Sequence, residues 1–337
     1  MAEIVLGLWT THGPQLNTTP EQWMLRVPGD RARKHWYQGK LYSFEELVDL
    51  RRAENLAAQA TLESRTRNHA ACQTAIEKLA DVWASVDPDV CVIFGNDQRE
   101  IMLPALQPVF TIYYGETFWN APLSHERSAR LPAGIPESEW AYRPERRTEY
   151  PGLPGLAERL LTSGVESRWD FAASNAWPAA EPEHYHVGTP HAFSYILRRV
   201  MRDRAVPTLP IIANTFFPPN QPRPWRCFEL GQLVHRVIAE WEEDVRVAIV
   251  GSGGMSHFVI NEEFDRQLFT AIQGRDANYL KDIDPHYMHD GTSELLNWVS
   301  AAGCMFQTSL SGEVIGYVPC YRTEAGSGTA QGFLAWT

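Results

Sequence analysis

Three short polar stretches contain side chains suited to metal binding or proton transfer. His12 lies within residues 10–14, Gln98 lies within 95–100, and His257 ends the glycine-rich stretch 251–257. Imidazole binds transition metals and exchanges protons near neutral pH, and an amide oxygen binds hard cations. Each stretch follows an apolar run that is typical of a buried strand. Because ligands of open α/β sheets collect beyond the carboxyl ends of strands, the pattern predicts one site at that edge.

Five apolar, β-branched runs predict the strands that must position this site. The runs are residues 4–8, 90–95, 109–114, 208–213 and 245–251. Apolar residues at three-and-four spacing predict amphipathic helices within 76–83 and 230–241, and each helix leads directly into a strand. We therefore predict an α/β fold, with a central mixed or mostly parallel sheet flanked by helices.

Two segments differ in composition from this alternating pattern. Residues 17–68 are rich in Glu, Arg, Gln and Ala and contain no clear strand, which predicts a mostly helical insertion after the first strand, with a helix over 43–56. Residues 123–190 are rich in Pro, Arg and Glu and predict a loop-rich segment, either a pocket wall or a solvated surface. We expect residues 1–337 to form a single domain that contains both segments.

Charge and composition exclude several classes of function. The 337 residues include 30 Lys plus Arg and 41 Asp plus Glu, a net charge of -11 that disfavours nucleic-acid binding. The absence of an 18-residue apolar stretch and of a basic N-terminal region predicts a cytoplasmic protein without a membrane span. The five cysteines form no CxxC pair, so neither a disulfide framework nor a thiolate zinc site is expected. Stretch 251–257 lacks the glycine spacing of a nucleotide-binding loop.

Five stretches, in order along nearly the whole chain, resemble the class III extradiol ring-cleaving dioxygenases. This is the catalytic-subunit family of protocatechuate 4,5-dioxygenase and gallate dioxygenase, and the likeness is strongest to its 3-O-methylgallate dioxygenases. The stretches are residues 7–14, 92–100, 214–219 with 226–231, 251–258 and 291–298. The resemblance implies Fe(II)-dependent cleavage, by O2, of an aromatic or heteroaromatic ring with adjacent hydroxyls: 3-O-methylgallate, gallate, protocatechuate or a hydroxypyridine. It also implies a homodimer.

The resemblance further implies an iron site made of two histidines and one glutamate. His12 matches the first histidine and Glu294 matches the carboxylate, while Gln98 stands where the family has its second histidine. An amide oxygen is a poorer donor to Fe(II) than imidazole is. Gln98 is therefore either a ligand itself or a neighbour of a ligand. In the second case the alternative ligands are Asp97, Glu100 and a histidine from a loop. His184 and His186 could also bind the metal, but a position on the loop surface is the favoured interpretation for both. From local sequence alone, Glu294 would instead act as a helix cap.

Two further histidines match pocket residues of the family. His257 matches the histidine that takes a proton from the substrate and returns one; stabilisation of the glycine turn is its structural alternative. His191 matches a histidine near the substrate, which implies hydrogen bonding to substrate or proton relay. The resemblance also implies that Asn214 and Ser293 contact the substrate.

Two other classes of function stay open, the second of them because of Gln98. One is a metal-dependent hydrolase or lyase, which would consume no O2. The other is a catalytically inactive protein that binds small aromatic molecules. A separate hypothesis concerns residues 43–68, which would cover the pocket in place of the small helical subunit that some members of the family use.

Overall fold

The computed structural model describes residues 1–177 and 188–337. Within these ranges the strands are β1 (Glu3–Thr10), β2 (His35–Tyr37), β3 (Lys40–Tyr42), β4 (Val90–Asn96), β5 (Phe110–Tyr113), β6 (Thr117–Asn120), β7 (Thr148–Pro151), β8 (Ala172–Ser174), β9 (Thr208–Ala213), β10 (Arg246–Ser252), β11 (His257–Val259), β12 (Gly312–Tyr321) and β13 (Ser327–Trp336). The α-helices are α1 (Val27–Ala32), α2 (Phe44–Leu50), α3 (Leu56–Gln59), α4 (Leu62–Val86), α5 (His125–Ser128), α6 (Pro154–Glu166), α7 (His191–Tyr195), α8 (Pro224–Ala239), α9 (Glu262–Gln273), α10 (Ala277–Lys281) and α11 (Leu296–Met305).

In the described part of the chain, nine strands form one mixed sheet in the order β11-β13-β1-β10-β4-β9-β5-β8, with β12 also paired to β13. The central strands β1, β10, β4 and β9 are parallel, and β13 and β5 flank them in antiparallel orientation. This arrangement confirms the predicted α/β fold and the five predicted strands. The carboxyl ends of the four central strands meet at one edge, which is where the candidate site lies.

The two faces of the sheet pack against different helices, because successive side chains of a strand point to opposite faces. Val92 and Phe94 of β4 belong to one apolar core together with residues of α6, α8, α9 and α11. Cys91 and Ile93 belong to a second core with residues of α4 and α7. The predicted helical stripes at 76–83 and 230–241 correspond to α4 and α8.

The structure corrects two details of the segment 17–68. Strands β2 and β3 form an antiparallel hairpin there, whereas we expected no strand. Its two-residue turn consists of Gln38 and Gly39, both with positive φ (48° and 75°), the conformation that tight hairpins require. The helix expected over 43–56 ends at Leu50 as α2, because the chain turns through a short 3-10 helix to Asn55, whose φ is 50°.

The remaining differences concern the later part of the chain. Segment 123–190 contains α5, α6, β7 and β8 in addition to loops. The ten-residue strands β12 and β13, for which we identified no signal, pair along most of their length and attach the C-terminal hairpin to β1. Among the described residues, no helix combines the length and apolar character needed to cross a membrane.

Candidate metal centre and active site

His12 lies two residues beyond the end of β1 and is buried. Its Nδ1 is 2.9 Å from the Ser252 hydroxyl oxygen, and that hydroxyl donates its own hydrogen to the Ala192 carbonyl at 2.6 Å. The hydroxyl must therefore accept from Nδ1–H, which leaves the lone pair on Nε2. Nε2 is buried and has no hydrogen-bond partner in the described ranges. Burial also lowers the pKa of His12 and so favours the neutral, ligating form.

Glu294 lies in the 3-10 turn Asp290–Leu295, which leads into α11. Its Oε2 is 3.3 Å from His12 Nε2 and 3.7 Å from His257 Nε2. Its Oε1 accepts hydrogen bonds from Gln98 Nε2 at 2.9 Å and from Asn96 Nδ2 at 3.2 Å. Burial opposes ionisation of this carboxyl, but the neighbouring histidines outweigh burial and lower its pKa to about 2. Glu294 is therefore a carboxylate.

Buried amides fix the position of this carboxylate. Asn297 Nδ2 donates to Asn96 Oδ1 at 2.9 Å and to the Ser252 carbonyl at 2.8 Å, and Asn96 in turn donates to Glu294. The chain of hydrogen bonds joins the ends of β4 and β10 to α11. A side chain at Gly253 would place its Cβ 2.3 Å from the Glu294 carbonyl oxygen, so the close approach of these segments requires glycine.

His191 begins α7 and is held by Glu100, which follows β4. Glu100 accepts from the His191 backbone N–H at 2.9 Å and lies 2.8 Å from Nδ1. Because Glu100 engages Nδ1, Nε2 is the nitrogen left for another partner. Burial lowers the pKa of His191, but the Glu100 carboxylate outweighs burial and raises it to about 9. Glu100 thus orients the imidazole and increases its basicity, as carboxylates commonly do for metal-binding histidines.

His257 follows the glycine-rich turn at the end of β10. Its Nδ1 is 2.7 Å from the Met255 carbonyl, so this nitrogen carries the hydrogen and donates it. The Thr292 hydroxyl accepts from the His257 N–H at 3.1 Å and donates to the His257 carbonyl at 2.9 Å. A Cβ at Gly254 or Gly291 would lie 2.2 Å or 1.9 Å from the imidazole, so glycine is needed at both positions. These contacts leave Nε2 directed toward Glu294.

The structure brings five of the predicted site residues together: His12, Gln98, His191, His257 and Glu294. One ligating atom from each of His12, His191 and Glu294 lies within 4.8 Å of the other two. Gln98 adjoins this group through its amide nitrogen, which donates to Glu294.

The other predicted residues lie around this group. The Asn214 side chain bonds within its own loop, accepting from the Phe217 N–H and donating to the Phe217 carbonyl. The Ser293 hydroxyl donates to the Asp290 carbonyl. Among the described residues, neither Asn214 nor Ser293 lines the cavity.

Asp97 accepts from three consecutive backbone N–H groups, those of residues 100–102. Burial and the nearby Glu100 raise the pKa of Asp97 to about 7. Asp97 therefore shapes the loop that carries Gln98 and Glu100. His184 and His186 fall outside the residues that the structure describes.

A cavity of about 440 Å³ opens over the three potential ligands. Its apolar wall includes Pro14, Trp23, Leu131, Ile135, Phe216, Phe217 and Phe258. Residues 13–26 and 131–142 supply much of the lining, whereas no described lining residue falls within 43–68. The hypothesis that residues 43–68 cover the pocket is therefore wrong. Those residues pack elsewhere: Phe44 and Leu47, for example, contact a separate small core with Val259 and Ala325.

Sequence reasoning missed several residues of the site. Ser252 sets the His12 tautomer, Asn96 and Asn297 hold Glu294, and the Tyr142 hydroxyl donates to the His12 carbonyl at 2.7 Å. Asn96 and Ser252 are the last residues of β4 and β10, a position that could have singled them out. Asn297 and Tyr142 come from distant segments and have no comparable signal.

A family model described as the catalytic LigB subunit of aromatic ring-opening dioxygenase matches residues 59–328. The chain belongs to this family. The LigB match includes Gln98, His191, His257 and Glu294, while His12 precedes it. The three potential ligands agree with the metal dependence of LigB dioxygenases.

Two individual proteins show more limited similarity. A gallate dioxygenase from Pseudomonas putida is 51% identical over 37 residues, and this alignment covers 11% of each protein. The crystal structure of uncharacterized protein JW3007 from Escherichia coli K12 aligns with a TM-score of 0.42 and 11% identity, over 77% of this chain and 91% of that one.

Proposed function

We propose that this LigB-family protein is an Fe(II)-dependent extradiol dioxygenase. Its substrate would be an aromatic or heteroaromatic ring with adjacent oxygen substituents, such as 3-O-methylgallate, gallate, protocatechuate or a hydroxypyridine. The observation that carries the proposal is the convergence of His12, His191 and Glu294 within 4.8 Å beneath an aromatic-lined cavity. Two imidazoles and one carboxylate, with open positions, are the ligand set of non-haem Fe(II) oxygenases.

The chemistry of the donors fits a divalent metal. Buried His12 Nε2 has a lone pair and no hydrogen-bond partner within the described residues, and such an atom is costly unless a ligand engages it. Glu294 is ionised next to it. We propose that His12, His191 and Glu294 hold the metal, while Gln98 orients Glu294. When bound, Fe(II) would bring the two adjacent substrate oxygens and O2 together and allow electron transfer between them.

We propose that His257 is the acid/base residue. Its Nδ1 is occupied by the Met255 carbonyl, so the proton would be exchanged at Nε2, 3.7 Å from Glu294 Oε2. Nε2 would take a proton from a phenolic hydroxyl as the substrate binds and return a proton during ring opening. Phe216, Phe217 and Phe258 would pack on the ring and exclude water.

The His257→Phe variant tests this function. Protein loaded anaerobically with Fe(II) is assayed for substrate-dependent O2 consumption, and substrate binding is measured separately without O2. We expect O2 consumption by the unmodified enzyme, and a variant that retains metal and substrate but turns over about 10²- to 10⁴-fold more slowly. Equal turnover by the variant would contradict the role of His257. Absence of O2 uptake by the unmodified enzyme across catechols, gallates and hydroxypyridines would contradict the proposed function.

The ligand assignment is tested by comparing His191→Ala with Gln98→Ala. If His191 is a ligand, its replacement removes stoichiometric Fe(II) binding, whereas Gln98→Ala weakens binding only through the orientation of Glu294. The reverse ranking in an anaerobic chelator competition would assign the third ligand to Gln98.

We also propose that the enzyme is a cytoplasmic homodimer. The dimer rests on the family resemblance, and the location rests on the lack of an 18-residue apolar stretch in the sequence. Light scattering after size-exclusion chromatography should give twice the chain mass of 38.2 kDa. A mass of one chain at micromolar concentration would contradict the dimer.

A further inference from the structure

We propose that Arg26 binds a carboxylate on the substrate, so that the preferred substrates are dihydroxylated aromatic acids rather than uncharged catechols. This inference rests on the proposed function and names the residue of the same site that would recognise a carboxylated substrate. The observation behind it is a cavity-lining guanidinium for which the described residues provide no hydrogen-bond or ion-pair partner.

Arg26 is the last residue of the 3-10 helix Gln22–Arg26 and is followed directly by α1. Buried Trp23 and Val27 anchor the chain on either side of it. The half-buried Arg26 side chain lines the same cavity as the potential metal ligands. Its aliphatic stem packs against Gly134, where a Cβ would lie 2.8 Å from Arg26 Cδ. The guanidinium is therefore held at the cavity wall.

The structure shows no hydrogen bond or ion pair for the Arg26 side chain in the ranges 1–177 and 188–337. Burial and the positive charge of Arg322 lower the pKa of Arg26, so the protein environment disfavours its charge. A guanidinium has five N–H donors, and a partly buried one without an acceptor loses free energy that an anionic partner would restore. An anion bound in the cavity would supply the negative charge and the hydrogen-bond acceptors that the described residues do not provide to Arg26.

Two other charged groups of the cavity wall, Arg322 and Glu139, have protein partners of opposite charge. Arg322 makes a two-pronged contact with Asp30 at 2.9 and 3.0 Å. Glu139 accepts from Arg143 Nε at 3.2 Å. These pairs neutralise their charges locally, which leaves Arg26 as a half-buried cation available to a ligand.

Arg99 is the nearest competitor for this role. It also lines the cavity, but it is exposed and its guanidinium stacks on the Phe217 ring at 4.1 Å. An exposed cation is well solvated and gains little from an anion. A half-buried arginine gains more, and its planar fork matches both oxygens of a carboxylate. The geometry therefore favours Arg26.

The experiment compares matched substrates that differ only in the carboxylate: gallate with pyrogallol, and protocatechuate with catechol. KM is measured for the Fe(II)-loaded enzyme and its Arg26→Gln variant. We expect the KM for the two acids to rise about 10- to 100-fold, and the KM for the uncharged analogues to change less than about threefold. Arg26→Lys, which keeps the charge but loses the fork, should give an intermediate increase.

Arg31→Gln is the matched control, because it makes the same chemical change at a nearby arginine of α1. The Arg31 side chain is exposed and pairs with Glu324. Equal changes in KM for acids and uncharged analogues in Arg26→Gln would overturn the proposal. So would loss of the preference for acids in Arg99→Gln but not in Arg26→Gln.

Binding without turnover separates failure of this inference from failure of the proposed function. The affinities of the metal-loaded protein for gallate and pyrogallol are measured without O2 by quenching of tryptophan fluorescence. If no compound supports O2 uptake, the dioxygenase proposal fails, and a gallate-specific loss of affinity in Arg26→Gln would still support carboxylate recognition. If O2 uptake occurs and both affinities stay unchanged in the variant, the role of Arg26 alone is refuted.

Discussion

Replacement of Glu100 by Gln should weaken metal binding although Glu100 is not one of the proposed ligands. The Glu100 carboxylate is buried and holds His191 at two points, the backbone N–H at 2.9 Å and Nδ1 at 2.8 Å. Glutamine has nearly the same shape but only one acceptor oxygen. Because both groups of His191 donate, the glutamine NH2 would face a donor at one of the two contacts. The imidazole then loses either its orientation or its charged partner.

The magnitude follows from the position of Glu100 behind a proposed ligand. Mutation of such a partner typically lowers metal affinity about 10- to 100-fold, which corresponds to about 1.4 to 2.7 kcal/mol. The assay is an anaerobic competition between the protein and a chromogenic chelator for Fe(II). The control is Glu126→Gln, which makes the same chemical change at an exposed residue paired with Arg130. A folded Glu100→Gln variant with unchanged affinity would refute the role of His191 as a ligand positioned by Glu100.

Three further variants test other parts of the structure. Asp30→Ala leaves the buried Arg322 guanidinium without its carboxylate and should lower the free energy of unfolding, measured by urea denaturation, by about 3 to 5 kcal/mol. An unchanged free energy of unfolding would contradict a stabilising ion pair. Burial opposes ionisation of Asp30, but Arg322 outweighs burial and lowers the pKa of Asp30 below its ordinary 3.8. The stabilisation from this ion pair is therefore present above pH 3.8 and is lost as the pH falls below 3.8. The Asp30→Ala variant should not show this loss. Ser252→Ala removes the acceptor for His12 Nδ1–H and should weaken Fe(II) binding about 10- to 100-fold in chelator competition; equal binding would contradict the tautomer assignment. Gly291→Ala places a methyl group against the proposed acid/base imidazole and should lower kcat about 100-fold with metal content unchanged, whereas wild-type kcat would contradict the placement of that ring.

The sequence predicted the central sheet because buried parallel strands leave a strong local pattern. The runs that became β1, β4, β9 and β10 are continuous apolar segments, and their carboxyl ends determine where polar side chains converge. The placement of His12, Gln98 and His257 at one edge follows from this pattern alone. The hairpin of β2 and β3 left no comparable signal, because Gln38-Gly39 is not one of the dipeptides typical of tight turns and the strands have only three residues each.

The partners of the site residues were not predictable in the same way. Glu100 and His191 are 91 residues apart, and Asn96 and Glu294 are 198 apart, so only the assembled fold reveals their hydrogen bonds. The tautomer of His12 likewise depends on Ser252, 240 residues away. Local patterns thus indicated where the site lies, whereas the orientation of each side chain depends on long-range packing.

The stoichiometry of oxygen consumption is the decisive test of extradiol dioxygenase activity. The Fe(II)-loaded protein is mixed with a limiting amount of gallate or protocatechuate while dissolved O2 and the ultraviolet absorbance of the aromatic ring are followed together. We expect one O2 to be consumed for each ring lost, only in the presence of Fe(II), and no consumption by His191→Ala. Loss of the substrate without O2 uptake, or full activity of His191→Ala, would contradict this expectation.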